Sequence, residues 1–447
     1  MKRKTLNTLL LILLSGGILS GQSTTGSSEM KLTVREAQDF AVKNNKAVKG
    51  ARLDYEASRI ALWTSISNIL PQVNASASFN DNLKLMTTLL PGQFFGDTTG
   101  KKYPVRFGSQ FNTGASVQAS MVIFNAPALL GIETTKLASQ LSKDNLTRSE
   151  QDIKESVSSI YYLILVTEKS LDIVGKNIQN LNETLKSTKA MLSAGMAEQT
   201  DVDQMQANVT MVENSRSNLE RTNEVNYNLL RLQLGVSIDT KIILSENLDD
   251  LVKTVNVESL LAQKFDYNEN INFKLVYGQE QLSSLALKTQ KATVLPSLAA
   301  FYSYGKTGMG DKVKSQQWFP NSVTGLQLSV PIFASGQRYT NIKRAQINLN
   351  KARLTKEMLT DQLEMQEKQL RYNLVNANLQ YTSQKANVEV ANRVYTSTEN
   401  KFKHGMASSL DLTQANQIYL QAENNYVSAL MNLLQSKLSL DKLLNNF

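Results

Sequence analysis

The sequence contains no cysteine, one histidine, seven prolines and two tryptophans in 447 residues. Without cysteine the protein cannot form disulfide bonds, zinc–thiolate sites or a thiol nucleophile. A lone histidine, His404, also argues against a catalytic or zinc site, so we predict neither an enzyme nor a bound cofactor or metal. The scarcity of proline, together with much glutamine, asparagine, leucine, alanine, lysine and serine, is typical of long helices.

The sequence also lacks clusters of like charge and, beyond its first residues, long apolar runs. The formal net charge of +9 is spread along the chain, whereas nucleic-acid binding requires a clustered basic face. No later segment reaches the roughly 18 apolar residues of a membrane-spanning helix. We therefore expect no nucleic-acid partner and no transmembrane helix.

Residues 1–21 have the features of a secretory signal peptide. Basic residues at positions 2–4 precede an apolar stretch at Leu9–Leu14, and small residues follow up to Gly21. The apolar stretch is shorter than the roughly 20 residues of a spanning helix, which argues against a membrane anchor. We therefore predict export, with the mature chain held together by packing alone because disulfides are absent.

The mature sequence contains one order of motifs twice, which indicates an internal duplication. Leu-Pro pairs end helical stretches at Pro71 and Pro296, and alternating segments end in Ile-Phe at Phe124 and Phe333. Each copy then has a Gly-Met-Ala turn followed by an aspartate. These turn residues are Gly195, Met196, Ala197 and Asp201 in the first copy, and Gly405, Met406, Ala407 and Asp411 in the second.

Each copy is predicted to run as helix, strand, loop, strand, very long helix, tight turn and helix. Residues 22–236 form the first copy, 237–257 a connector with a short strand at Ile242–Leu244, and 258–447 the second copy. In the first copy we predict a helix at 33–67, strands at 72–82 and 112–124, a long helix at 128–194 and a helix at 201–235. In the second copy we predict a helix at 258–293, strands at 297–306 and 322–333, a long helix at 336–404 and a helix at 411–445.

The helix lengths predict an elongated molecule. Each long helix, at about 65 residues and 1.5 Å per residue, would span about 100 Å, and its apolar side chains recur at the spacing of a heptad seam. Each short helix has about half that length, so two of them stacked end to end would match one long helix. Such dimensions are typical of a tube or a rod.

Four segments alternate between apolar and polar residues, as strands do. Val73, Ala75 and Ala77 share one face in the first segment, with Asn74 and Ser76 on the other. A sheet packed on a soluble core alternates in the same way as a membrane barrel, and the export signal favours the barrel. Four strands cannot close in lipid. Two chains would supply about eight strands and three about twelve, and a conduit favours three or more.

Together these features resemble the TolC family of outer-membrane efflux proteins, in the duplicated order of Leu-Pro exits, strand ends and glycine–aspartate turns. The resemblance implies an α+β membrane protein: a homotrimer whose four strands per chain form a twelve-stranded β-barrel in outer-membrane lipid. That barrel would be continuous with a long α-helical coiled-coil barrel in the periplasm. A longer loop of the first copy, between Asn80 and Asn112, would then be extracellular.

The resemblance also implies the exit duct of a tripartite efflux or type I secretion system. Substrates would pass to the outside from an inner-membrane pump of the RND, ABC or MFS type and a periplasmic adaptor protein. The competing interpretation is a periplasmic coiled-coil scaffold or adaptor protein without a membrane barrel. Recording conductance of the purified protein in a bilayer separates the two.

By the same resemblance, function concentrates at the turns, which would line the periplasmic entrance. Asp201, Asp203 and Asp411 are the candidates for an entrance and gating ring, although Asp201 and Asp411 also suit helix N-termini. Gln414 and Ala407 stand where relatives can carry charged residues, so a salt-bridge lock is not implied. The candidate adaptor contacts are Gly195, Met196, Ala197, Gly405, Met406 and Ala407.

Overall fold

The computed structural model describes residues 29–253 and 255–447 as a β-sheet joined to a bundle of long helices. The predicted signal peptide lies outside these residues. The helices are α1 (Val34–Asn44), α2 (Lys46–Ser67), α3 (Ala126–Ser193), α4 (Gln199–Leu234), α5 (Leu248–Lys253), α6 (Val257–Ala262), α7 (Ile271–Ala292), α8 (Gln337–Lys403) and α9 (Ser409–Leu443). The strands are β1 (Met30–Leu32), β2 (Gln72–Asp81), β3 (Met86–Pro91), β4 (Lys102–Phe107), β5 (Phe111–Phe124), β6 (Ile242–Leu244), β7 (Ser297–Gly310) and β8 (Gln317–Ser329).

Four strands form an antiparallel sheet in the order β2-β5-β7-β8. The ladder between β5 and β7 runs from Phe111 opposite Gly310 to Phe124 opposite Leu298. Strands β2 and β8 are the edges, and their side chains are exposed along nearly their whole length. Each strand meets a helix at the same end of the sheet, so the strand-connecting loops lie together at the other end, which we call the distal end.

The strand predicted at 322–333 is wrong at both ends, because β8 begins at Gln317 and stops at Ser329. Pro331 has no N–H to donate to a ladder, and a turn with positive φ at Ser335 and Gly336 leads into α8. Strand β7 extends past its predicted end at residue 306 to Gly310. The loop expected between strands β2 and β5 contains a second hairpin, β3–β4.

The two long helices dominate the molecule. Helix α3 has 68 residues and α8 has 67, so each is about 100 Å long. The heptad positions of α3 face inward, with Val157 and Ile164 fully buried and Leu181 nearly so. Within the described part of the chain, no helix combines the length and the apolar character needed to cross a membrane.

The single helix predicted at 33–67 is wrong, because the chain breaks at Asn45 (φ −58°, ψ 135°). The Asn45 amide Nδ2 donates to the carbonyl oxygen of Gln233 in the last turn of α4, at 2.8 Å. Gly235, which ends α4 with φ 72°, lies so near that a Cβ there would be 2.7 Å from the carbonyl oxygen of Asn44. Helices α2 and α4 are therefore stacked end to end beside α3.

The single helix predicted at 258–293 is wrong for the same reason. Asn270 (φ −66°, ψ 130°) begins α7, and its Nδ2 donates to the carbonyl oxygen of Leu443 at 3.5 Å. The Asn445 amide returns a bond to the carbonyl oxygen of Glu269, at 2.9 Å. An asparagine therefore begins the helix next to the sheet in both halves of the chain. These two helices, α2 and α7, each have 22 residues.

The main hydrophobic cluster lies at mid-height, beside these two asparagines. The strand predicted in the connector is present as β6 and pairs in parallel with β1. Beneath this pair lies the fully buried Tyr161, whose hydroxyl donates to the carbonyl oxygen of Leu32 at 3.0 Å. Burial raises the pKa of Tyr161. This cluster packs against the middle of α3. The turns that follow α3 and α8 lie at the end of these helices remote from the sheet.

Candidate functional site at the hairpin tips

Each long helix turns back through the same motif. Gly195 (φ 75°) and Gly405 (φ 70°) follow the helix ends in the left-handed conformation that glycine adopts most readily. In both turns the N–H of the next methionine donates to a carbonyl oxygen in the last helical turn, at 2.8 Å. The result is a first hairpin, α3–α4, and a second hairpin, α8–α9.

The Asp411 carboxylate takes part in capping its own helix, α9. Its Oδ2 accepts hydrogen bonds from the N–H of Ser408 at 3.0 Å and from the Ser408 hydroxyl at 2.7 Å. The hydroxyl in turn accepts from the N–H of Asp411 at 3.1 Å, which completes a capping box. The backbone bond from Ser408 is the main cause of the lowered pKa of Asp411. Helix α9 begins at Ser409, earlier than the predicted start at residue 411.

Asp201, in contrast, joins the two hairpins. Its Oδ2 accepts from the N–H of Glu198 at 3.0 Å, in the first turn of α4, which begins at Gln199 and not at residue 201 as predicted. Its Oδ1 accepts a hydrogen bond from the hydroxyl of Ser409, at the start of α9. That hydroxyl is the largest cause of the lowered pKa of Asp201. The carboxylate is therefore ionised at neutral pH and bonded across the hairpins.

The remaining predicted residues are distributed over the tip surface. Asp203 is exposed, and its carboxylate accepts a hydrogen bond only within α4. Met196 and Met406 are 73% and 71% exposed at the very end of each hairpin. Ala197 and Ala407 are half-buried, and Ala407 packs on the small core just above its turn. The methionines are thus the side chains that a partner would meet first.

Two polar contacts above the tips, one buried and one half-buried, are not predicted by the sequence. The Asn208 amide donates to the Thr413 hydroxyl at 2.9 Å, and the Asn177 amide donates to Asn416 Oδ1 at 2.6 Å. Both bonds run from the first hairpin to the second. The available signal was that Asn177 adjoins the apolar stripe of α3, next to Ile178, where a buried amide needs a partner.

The Asn177–Asn416 layer is incompletely satisfied. Asn177 is 2% exposed, and its Oδ1 has no hydrogen-bond partner within the described chain. A cleft of about 360 Å³ opens beside it between α3, α8 and α9. An unpaired buried carbonyl costs about 1–3 kcal/mol, so this layer holds the hairpins together less firmly than an apolar seam would.

Among the described residues, no ion pair joins the two hairpins near their tips. The pairs nearest the tips, Lys176–Asp172 at 2.7 Å and Lys403–Glu399 at 2.9 Å, each lie on one helix. His404 places Nδ1 2.7 Å from the carbonyl oxygen of Asn400, as a helix-end residue. In residues 29–253 and 255–447, no three acidic or histidine side chains are grouped to hold a metal ion. The tips are thus joined by neutral and aspartate–hydroxyl hydrogen bonds.

The family model of the outer membrane efflux proteins matches residues 39–236 and 281–446. The chain belongs to this family. It is 20% identical over 423 residues to the protease secretion protein PrtF of Dickeya chrysanthemi, covering 94% of this chain and 89% of PrtF. It is 19% identical over 326 residues to the outer membrane protein TolC of Vibrio cholerae, covering 72% and 70%. The crystal structure of the Campylobacter jejuni CmeC outer membrane channel superposes with a TM-score of 0.69 at 16% identity, covering 92% and 85%.

Membership of the outer membrane efflux protein family confirms the resemblance seen in the sequence. It also confirms the predicted function, an outer-membrane exit duct for efflux or type I secretion, and the predicted location, with a helical tunnel in the periplasm. Members of this family are transport channels that work in tripartite systems with an adaptor and an inner-membrane pump. The alternative of a periplasmic scaffold or adaptor finds no support.

Proposed function

We propose that three copies of this chain form one continuous duct, with a twelve-stranded β-barrel in the outer membrane and a coiled-coil barrel in the periplasm. The observation that carries the proposal is that the chain is incomplete by itself. Its sheet has two open edges, and its longest helices carry apolar surface that nothing in the described chain covers.

The sheet edges support closure between chains. Strands β2 and β8 each pair on one side only, and in lipid every unpaired backbone group costs several kcal/mol. Pairing β2 of one copy with β8 of the next would satisfy both edges, and three copies would contribute twelve strands. Polar pairs such as Ser76 and Ser116, with hydroxyls 2.9 Å apart, lie on the face that would line the lumen.

Helix α8 supports the same assembly further down. Six of its apolar side chains, spaced four or seven residues apart, are 55–72% exposed. They are Ile347, Leu354, Met358, Met365, Tyr372 and Leu379. We call this set the outer stripe. Heptad-spaced apolar stripes are normally covered by a partner helix, and a symmetric homo-oligomer supplies one.

The duct would be passive, with an inner-membrane pump of the RND, ABC or MFS type supplying the energy and a periplasmic adaptor joining the two. The family model is named for efflux. PrtF, which the chain matches over 94% of its length, is named for protease secretion. Both names describe export through the outer membrane, and the pump would determine the cargo.

The entrance of the duct would be formed by the hairpin tips. In a trimer the exposed Asp203 and Asp411 supply six carboxylates, with three Asp201 carboxylates bonded to Ser409 just behind them. Rings of carboxylates attract cations. The cross-hairpin bonds of Asp201, Asn208 and Asn177 would hold this entrance narrow until a partner separates the hairpins.

We expect the purified protein to conduct ions in a planar bilayer and to prefer cations. Asp201→Asn with Asp411→Asn should lower the cation-to-anion permeability ratio by about twofold or more, because six charges leave the entrance of the trimer. Glu213→Gln with Glu357→Gln removes as many charges from exposed helix positions away from the tips and should change the ratio less. No conductance would contradict the duct, and an unchanged ratio in the aspartate variant would contradict the entrance ring.

Adaptor docking at the tips predicts a second effect. Gly405→Trp places a large ring on the exposed turn and should abolish transport and reduce cross-linking to the adaptor by about tenfold, since the contact loses its shape complementarity. Gly405→Ala is the control, because it imposes the same backbone strain at φ 70° without the bulk. Intact transport and cross-linking in Gly405→Trp would count against docking at this turn.

A further inference from the structure

The distal end of the sheet carries a second hairpin that is not part of the four-stranded sheet. Strands β3 and β4, joined by the turn Gly92–Phe95, extend from the loop between β2 and β5. A shorter turn joins β7 to β8 beside it. With the helical tunnel in the periplasm and the barrel as proposed, these segments emerge at the outer leaflet of the outer membrane. Contact between these segments and the outer leaflet depends on that orientation, and therefore on the proposed function.

The distal segments, residues 81–110 and 306–316, carry an excess of positive charge, although no run of more than two consecutive basic residues occurs in them. They contain seven basic and three acidic residues. The basic residues are all exposed, and their side chains form no ion pair or hydrogen bond within the described chain. They are Lys84, Lys101, Lys102, Arg106, Lys306, Lys312 and Lys314.

The acidic residues, in contrast, are already occupied. Asp97 Oδ2 accepts from the Tyr103 hydroxyl at 2.7 Å, and Asp97 Oδ1 accepts from the N–H of Thr99 at 2.8 Å. Asp81 and Asp311 each accept one hydrogen bond from Gln110. The three carboxylates are outnumbered by the basic side chains and bond to neutral donors instead of to them, so this end of the chain can attract an anion from outside.

The hairpin also has an uncovered apolar face. Met86 opposite Phe107 and Leu90 opposite Tyr103 lie on one face, together with Val105. None of them belongs to a buried hydrophobic cluster, and Met86 is 74% exposed. An isolated two-stranded hairpin is at best marginally stable in water, so a partner that covered this face would stabilise the hairpin.

We propose that the β3–β4 hairpin binds a phosphorylated, acylated glycolipid of the outer leaflet, with its phosphates against the basic side chains and its acyl chains against the apolar face. A neighbouring copy of the hairpin is a poorer partner, because it brings the same excess of positive charge. A neutral lipid would cover the apolar face but leave the cations unpaired. Anionic headgroup and apolar tail together match both halves of the surface.

The test uses the assembled full-length protein in detergent and native mass spectrometry with added lipid A. The probes are the bisphosphorylated lipid and the same lipid after enzymatic removal of both phosphates. Lys84→Gln/Lys101→Gln/Lys102→Gln/Arg106→Gln should bind the bisphosphorylated lipid at least about tenfold more weakly than wild type, since each basic residue near such a surface contributes to binding. Wild type should bind the dephosphorylated lipid about as weakly as this variant does.

The control variant Lys49→Gln/Lys143→Gln/Lys351→Gln/Lys368→Gln removes four exposed helix lysines and should bind lipid A as wild type does. Equal binding of the two lipids by wild type, or equal loss in the control variant, would overturn the proposal. A distal variant that lowers oligomer stability while lipid binding is unchanged would assign the hairpin to a neighbouring subunit instead. Conductance of the distal variant should persist, so a failure here is separable from a failure of the duct.

Discussion

Replacing Leu354 and Met365 by glutamate should leave the protein monomeric, whereas the wild-type chain should be a trimer. Both side chains belong to the outer stripe and are 59% and 67% exposed in the single chain. In the proposed duct they are covered by the neighbouring subunit, where an unpaired carboxylate costs several kcal/mol. A trimer would bury six of them, so assembly should weaken by well over about a hundredfold. Size-exclusion chromatography with light scattering measures this directly.

A matched control lies one residue further along the same helix. Thr355→Glu with Gln366→Glu has the same spacing and adds the same charge, but at exposed polar positions outside the outer stripe. This variant should remain trimeric and conduct ions. A trimer in the Leu354/Met365 variant, or equal dissociation in both variants, would contradict the assignment of the stripe to the subunit interface.

Removing the cross-hairpin hydrogen bonds should open the entrance. The triple variant Asn208→Ala/Ser409→Ala/Asn416→Ala eliminates the three bonds that join the first hairpin to the second near the tips. At about 0.5–1.5 kcal/mol for each bond, or about 1.5–4.5 kcal/mol for all three, the ratio of open to closed states should rise roughly 10- to 2,000-fold. Single-channel recording would show more time at high conductance, with the trimer intact.

Two comparisons make this result specific. Ser187→Ala/Thr210→Ala/Gln421→Ala removes three bonds that stay within one helix each and should leave conductance unchanged. Asn208→Cys with Thr413→Cys replaces a 2.9 Å contact between the hairpins in a chain without native cysteine. Oxidation should close this channel and reductant should restore it. Wild-type conductance in the triple variant would rule out these bonds as the gate.

Periodicity and length were enough to predict the long helices and the four alternating strands, but not where the shorter helices break. Neither proline nor glycine marks the breaks at Asn45 and Asn270. Each turns the chain to ψ near 130° because its amide caps the next helix and bonds the end of another helix far away in sequence. Such a partner is visible only once the fold brings it near.

At the hairpin tips, too, the sequence predicted local features but not contacts between distant residues. The two glycines predicted the turns, because each needs positive φ, and the aspartates were placed in the first helical turns. The sequence could not show that Asp201 reaches Ser409, since more than 200 residues separate them. The sequence does not predict the β3–β4 hairpin, since prolines at 91 and 104 interrupt its alternation.

The bond from Asp201 to Ser409 means that the two halves of the chain are no longer interchangeable. The matching position in the first half is Gln199, whose amide instead donates to Asp203 at 2.8 Å. A chain built from two first halves would keep both turns, but it would have no hydroxyl at this position to donate a hydrogen bond to the carboxylate. The first hairpin therefore supplies the acceptor and the second the donor, so six hairpins around a pore would repeat as three unlike pairs.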